Sequence, residues 1–276
     1  MKNAITITIA SGVVGLAALF LGYQAGTART SLDASDAPAQ SAPVQLASAT
    51  PEGAAPDRAA IEAIVKDYLI SNPEIMIEVQ NALETKQAAA AKTGQRAAIT
   101  ANADKLFHSP MDAVFGNPDG DVTVVEFFDY NCGYCKHALP DMDAVLKNDP
   151  NVRFVMKEFP ILGPDSVKAH MVAKAFQSLM PGKYLEFHRD LLGQQGRATE
   201  QTAIDIAVKL GANEAQLREK MKSPEIATAF QNNYQIANAL NITGTPSYII
   251  GDEVVPGAIG VEGLAEKIAE QRDAKG

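Results

Sequence analysis

Cysteine and histidine are scarce in this chain. Of its 276 residues, two are cysteines and four are histidines. Those histidines, His108, His137, His170 and His188, include no His-x-x-x-His pair, and no Met-rich or His-rich tract accompanies them. A four-ligand zinc site therefore has no ready set of donors, and no metal site is expected. The residue after Cys135 is Lys136 rather than histidine, which excludes c-type haem attachment. Positive charge is also in the minority: 24 Lys and Arg against 33 Asp and Glu leave a net charge of −9. That balance argues against nucleic acid as a partner. There is no internal repeat.

Large apolar side chains are nearly missing from residues 29–56, which are mostly Ala, Ser, Pro, Thr, Asp and Gln. Such a segment cannot bury enough surface to offset its ordering entropy, and it reads as a linker. Charge is missing from residues 4–23, behind the single Lys2. With the small residues Gly26-Thr27-Ala28 after it, residues 1–28 have the pattern of a secretory signal peptide. About 20 uncharged residues also just span a bilayer, so an uncleaved signal anchor is the alternative. Both readings place the rest of the chain outside the cytoplasm, where disulfides form and persist.

The two cysteines that are present stand together as Cys132-Gly133-Tyr134-Cys135. They follow the apolar, β-branched run Val122-Thr123-Val124-Val125-Glu126-Phe127-Phe128 and precede a helix-like stretch. At a strand-to-helix junction the first cysteine meets the free N–H groups of the helix N-terminus, where negative charge is favoured. Its pKa falls there by about one to five units below that of a free cysteine. Lys136 and His137 are expected to add positive charge nearby. Cys132 is then the attacking thiolate, and Cys135, one turn into the helix, is the resolving thiol. A purely structural disulfide at this spacing would close a tiny loop and gain little chain entropy. The dithiol itself is the redox group, and no further cofactor is implied.

Residues 57–106 read as an N-terminal helical segment. Asp57 can cap a first helix, along which Ile61, Ile64, Val65, Tyr68 and Leu69 recur at helical spacing. Ser71-Asn72-Pro73-Glu74 is a stop and restart, with Ser71 and Glu74 spaced as a capping box. The second helix carries Ile75, Met76, Val79, Ala82 and Leu83, fades over 87–92, and is expected to break or hinge at Thr93-Gly94. Two helices this short cannot make a core; they pack on the main domain or on copies of themselves. From 107 to 276 the pattern is a strand at 121–128, a helix at 132–147 interrupted at Pro140, and a strand at 151–157. A helical block at about 165–240 follows, then the runs 247–250 and 253–255 joined by a Gly251-Asp252 turn, and a last helix at 261–272. This is an α/β architecture with an inserted helical domain.

The chain resembles the DsbA-like branch of the thioredoxin superfamily, and more narrowly the ScsC-like proteins of bacterial copper-tolerance loci. Four stretches carry the resemblance: Phe115-Gly116-Asn117-Pro118, the run from Glu126-Phe127-Phe128-Asp129-Tyr130-Asn131 into the two cysteines, Lys157-Glu158-Phe159-Pro160-Ile161-Leu162-Gly163, and Gly244-Thr245-Pro246-Ser247. It implies a thioredoxin fold with an inserted helical domain, preceded by the helical segment. Pro246 would be the family's cis-proline, whose loop faces the cysteines and receives the substrate backbone; Thr245 would present its backbone groups there, and Tyr134 would touch substrate. Glu126 would be the buried acid that helps take the proton from Cys135, its pKa raised by desolvation.

Gly133-Tyr134, in place of Pro-His, is more similar to the disulfide isomerases and ScsC-like proteins, and implies a milder potential. The implied protein is a periplasmic thiol:disulfide interchange enzyme with isomerase or reductase character. Its partners would be cysteine-containing clients, a membrane redox protein that gives or takes electrons, and copies of itself joined through residues 57–90. A dedicated disulfide oxidase is one alternative. A copper-binding thiol protein is another, since two thiolates suit Cu(I). A holdase chaperone built on the N-terminal helices is a third.

Overall fold

The computed structural model describes residues 57–274; the signal or anchor at 1–28 and the linker at 29–56 lie outside the described residues. The chain divides into two units, Met1–Ala60 and Ile61–Gly276, and the second holds the sheet. Among the described residues no helix is long and apolar enough to cross a membrane.

Two helices come first, α1 (Arg58–Ser71) and α2 (Glu74–Ala101), then the short α3 (Ala103–Phe107). The strands β1 (Ala113–Gly116) and β2 (Val122–Phe128) lead into α4 (Gly133–Asn148) and β3 (Val152–Glu158). The helical insertion comprises α5 (Pro164–Leu179), α6 (Tyr184–Gly193), α7 (Glu200–Lys209), α8 (Glu214–Lys220) and α9 (Pro224–Ala239). The hairpin β4 (Ser247–Ile250) and β5 (Glu253–Pro256) and the helix α10 (Gly260–Asp273) complete the fold.

The strands form one sheet in the order β1-β3-β2-β4-β5. β2 and β3 run parallel, from Val122 against Val152 to Phe128 against Glu158, with α4 as their crossover; the remaining pairs are antiparallel. β2 lies at the centre and is covered on both faces, so its run is almost continuously apolar. Side chains on a strand alternate between faces. Val122, Val124 and Phe128 therefore share one core with Cys135, Met142 and the insertion, and Glu126 is in phase with them. Val125 and Phe127 lie on the other face with Val155, Phe159, Ile249, Leu240 and Ile99.

β2, β3 and the hairpin fall within a residue or so of their expected limits, and β1 is an additional strand that the sequence pattern does not announce. Three local features differ. Pro140 lies inside α4 without ending it; a proline removes one helix hydrogen bond, and the turns on either side of it hold. α2 runs unbroken through Thr93-Gly94. Gly94 has open space around it, and one glycine costs a helix only about 1 kcal/mol against the alanines that precede it. The capping box of Ser71 and Glu74 is not formed, because Pro73 occupies the cap with no side-chain hydrogen bond. Asn72 instead donates its Nδ2–H to the carbonyl of Tyr68 at 2.8 Å, closing the end of α1. Asp57 does cap the chain's first described turn, its Oδ1 accepting the Ala59 N–H at 3.3 Å.

Only the C-terminal end of α2 packs on the main domain. There the side-chain oxygen of Gln95 accepts the Val254 N–H at 3.3 Å, covering the β5 edge. Arg96 pairs with Asp252 at 2.6 Å, and Ile99 is buried. α1 buries no residue at all. Ile61, Ile64, Val65 and Tyr68 form an exposed stripe along it, and Met76, Val79 and Leu83 form another along α2.

Candidate active site

The approach to the cysteines is built by Asp129, the residue after β2. Its carboxylate is fully buried. Oδ1 accepts the Asn131 N–H at 2.7 Å and the Ser166 hydroxyl at 2.8 Å. Oδ2 accepts the N–H groups of Ile161 and Leu162 at 2.8 and 3.0 Å. An aspartate bonded to the backbone two residues on makes a tight turn, and the Cys132 N–H closes it on the Asp129 carbonyl at 3.0 Å. Cys132 thus arrives in extended conformation as the N-cap of α4. Its carbonyl receives the helix bond from the Lys136 N–H at 3.1 Å.

Both cysteines are free. Cys132 is 7 % exposed and Cys135 is wholly covered, whereas Tyr134 between them is 70 % exposed. The Cys132 Sγ lies 3.0 Å from the carbonyl oxygen of Thr245, in the cis peptide Thr245-Pro246. The loop before β4 therefore faces the Cys132 sulfur.

The two thiols have opposite character. A hydrogen bond with the Cys135 side chain pulls the Cys132 thiol down to about 5, helped by the Thr245 side chain and the backbone of Cys135 and Tyr134. Its own burial opposes this. Burial pushes the Cys135 thiol far up, and its hydrogen bond to Cys132 and the charge of Glu126 push the same way. Lys136 does not serve the thiolate as its position suggests. Its Nζ donates to the carbonyls of Gln194 and Gly196 at 2.9 and 2.8 Å. Glu126 is buried, and that burial, with the charge on Cys132, raises its carboxyl from the ordinary 4.5 to about 8. It sits opposite Met156 on β3 and Tyr248 on β4.

A buried polar cluster under the site is not foreseen in the sequence. The His170 Nε2 accepts the Tyr130 N–H at 3.2 Å. Its Nδ1 therefore carries the proton and donates to Glu158 Oε2 at 2.9 Å. The Tyr184 hydroxyl donates to Glu158 Oε1 at 2.6 Å and lies 3.2 Å from the Tyr130 hydroxyl, which is 3.3 Å from His188 Nδ1. Burial lowers His188 to about 3, so it is neutral. In the sequence these histidines draw attention only as metal ligands. Among the described residues no group of three or more His, Cys, Asp or Glu side chains is placed to hold a metal.

An acidic thiol at a helix N-terminus, backed by a buried one and faced by a cis-proline loop on this sheet, defines a thiol:disulfide oxidoreductase. The chain belongs to the family of the DSBA-like thioredoxin domain, which matches residues 123–269. Residues 57–90 match the N-terminal domain of the copper resistance protein ScsC. A thioredoxin-like oxidoreductase from Silicibacter pomeroyi is 40 % identical, with a TM-score of 0.59, over 62 % of this chain and 97 % of that one. Proteus mirabilis ScsC in a transitional conformation is 30 % identical, with a TM-score of 0.58, over 77 % of this chain and 95 % of that one. Disulfide bond formation protein D of Bacillus subtilis is 25 % identical over 173 residues, which are 59 % of this chain and 78 % of that protein. The chain also matches sodium/proton antiporters of two Salinispora species at 26 % identity, and spans 24 % of their length.

Proposed function

We propose that this protein carries out thiol:disulfide interchange on cysteine-containing client proteins in the periplasm, as an isomerase or reductase before a dedicated oxidase. The observation that carries the reading is the contrast between an acidic Cys132, partly covered at the head of α4, and a wholly covered, non-acidic Cys135. The Cys132 thiolate attacks one sulfur of a client disulfide; a Cys132–client bond forms as the client S–S bond breaks, and the other client sulfur leaves as a thiolate. That thiolate can attack a second client disulfide, and the client thiolate this releases attacks the client sulfur bound to Cys132, which frees the Cys132 thiolate and leaves the pairing rearranged. Otherwise Cys135 loses its proton and attacks the Cys132 sulfur. The client's second thiol is released, and the Cys132–Cys135 disulfide keeps what the client's disulfide has lost, two electrons having passed to the client. Run backwards, the same steps donate a disulfide.

Glu126 is the proton acceptor for the resolving step. With a pKa of about 8 it is roughly nine-tenths protonated at pH 7 while Cys132 is a thiolate. In the mixed disulfide the Cys132 charge is gone. One of the two causes that raise Glu126 disappears with it, so the carboxylate becomes available at the stage when Cys135 must be deprotonated. The direction of exchange follows from poise. A nucleophile near 5 lies between the thioredoxin value of about 7 and the DsbA value of about 3.5, which supports an intermediate potential. Gly133-Tyr134 supports the same reading. Residues 1–28 support export, and the exposed stripes on α1 and α2 support self-association through 57–90.

Cu(I) binding by the two thiolates is the second reading, favoured by the match of residues 57–90 to a copper resistance protein. Trapping separates the two. Cys135→Ser should accumulate a Cys132–client mixed disulfide that reductant cleaves, and Cys132→Ser should accumulate none. Absence of any adduct from Cys135→Ser, with Cu(I) still bound by the unaltered protein, would contradict interchange.

A further inference from the structure

The dithiol is held at both flanks by one stretch of the helical insertion. On the upstream side, Asn131 Oδ1 accepts the Ala198 N–H at 2.7 Å and Nδ2 donates to the Ala198 carbonyl at 2.9 Å. The same Nδ2 donates to the Ser166 hydroxyl at 3.0 Å. On the downstream side, the two bonds from the Lys136 Nζ reach Gln194 and Gly196. Residues 194–199 join α6 to α7, so Cys132 to Cys135 are bracketed by anchors to a single connector.

The upstream anchor is the more specific. The Asn131 amide pairs with both the N–H and the C=O flanking one residue, as a neighbouring strand would, and only one orientation of the amide satisfies all three bonds. Ala198 is fully buried, so its polar groups have no water to fall back on and each lost bond leaves a group unpaired. Asn131 touches neither sulfur, and the exchange steps do not use it. It is nevertheless the residue whose backbone leads directly into the N-cap. The aim of the Tyr134 and Cys135 N–H groups at the Cys132 sulfur depends on that N-cap, and so does the 3.0 Å approach to Thr245. Asp129 shapes the turn around this point, and Asn131 ties the turn to the insertion.

We propose that Asn131 is a positioning residue for the nucleophile, through which the helical insertion fixes Cys132 at the head of α4 and against the cis-proline loop, with Lys136 as the second anchor. The insertion is then a brace for the reacting sulfur as well as a cover for the core. This deepens the interchange reading and rests on Cys132 being the nucleophile.

The test is the pH dependence of Cys132 alkylation in the full-length reduced protein, for Asn131→Ala, Asn131→Asp and Lys136→Met. In Asn131→Ala the midpoint should rise from about 5 to about 6, and kcat for client reduction should fall about tenfold with KM within twofold. Asn131→Asp keeps one acceptor, loses the donors and sets a carboxylate beside the Ala198 carbonyl, so its midpoint should rise further. Lys136→Met should move it the same way by less. Arg189→Ala is the control: it breaks a pair with Asp143 that joins α6 to α4 away from the sulfurs, and its midpoint should stay at the unaltered value. An unchanged midpoint in a folded Asn131→Ala protein would overturn the proposal, as would an equal rise in Arg189→Ala. Should Asn131→Ala fail to fold, Lys136→Met decides in the same way. Alkylation needs neither client nor redox partner, so a failure of the interchange reading itself would appear as lost turnover with this midpoint intact.

Discussion

At the scale of single residues, the site works by setting like groups apart. Two cysteines three positions apart differ in acidity because Cys132 receives hydrogen bonds from the Cys135 side chain, from Thr245 and from the backbone at the head of α4, whereas Cys135 is buried. Glu126 is the residue whose titration exposes this design. Its folded pKa of about 8 lies above its ordinary 4.5. The folded protein therefore holds a proton that the unfolded chain has released, and the stability this contributes is complete below about 4.5 and lost as pH rises through about 8. Glu126→Gln should remove that slope. In urea unfolding from pH 5 to 9 the variant should gain on the unaltered reduced protein toward high pH, while its resolving step slows about a hundredfold. Parallel stability curves for the two proteins would contradict the account. The place of Cys132 and Cys135 at the head of α4 and the burial of Glu126 were readable because the signal is local: a spacing, and an acid inside an apolar strand. Asn131 was not readable, because its partners Ser166 and Ala198 stand 35 and 67 positions away. The roles of His170 and His188 were hidden for the same reason.

At the scale of elements, regular patterns translated well and interruptions did not. The β-branched runs of β2 and β3 and the Gly251-Asp252 hairpin were legible because period and turn chemistry agree. β1 was missed, since four residues carry too little pattern. Pro140 and Gly94 misled in the same direction: each signals a break, yet each costs less than the rest of its helix contributes. The helices α1 and α2 are amphipathic with no partner for their stripes among the described residues. Ile64 and Tyr68 lie one turn apart on the α1 stripe and are 68 % and 58 % exposed. Ile64→Glu with Tyr68→Glu should therefore reduce the light-scattering mass of the protein from a multiple of the chain mass to that of one chain, with the main domain still folded. A single-chain mass for the unaltered protein would contradict self-association through 57–90.

At the scale of the whole molecule, a mixed sheet positions the dithiol, and an insertion between β3 and β4 both covers the core and grips the active-site loop. This division was foreseen in outline from the order of patterns along the chain, but the grip was not. The central claim is that reduced Cys132 opens and reshuffles disulfides in misfolded clients. It is tested most directly by adding the fully reduced protein to a small client with scrambled disulfides and following recovery of the client's activity. Recovery well above a Cys132→Ser control is predicted. A client that stays inactive under these conditions, yet regains its native form when the oxidised protein is added to its reduced, unfolded chain, would contradict the isomerase reading and identify an oxidase.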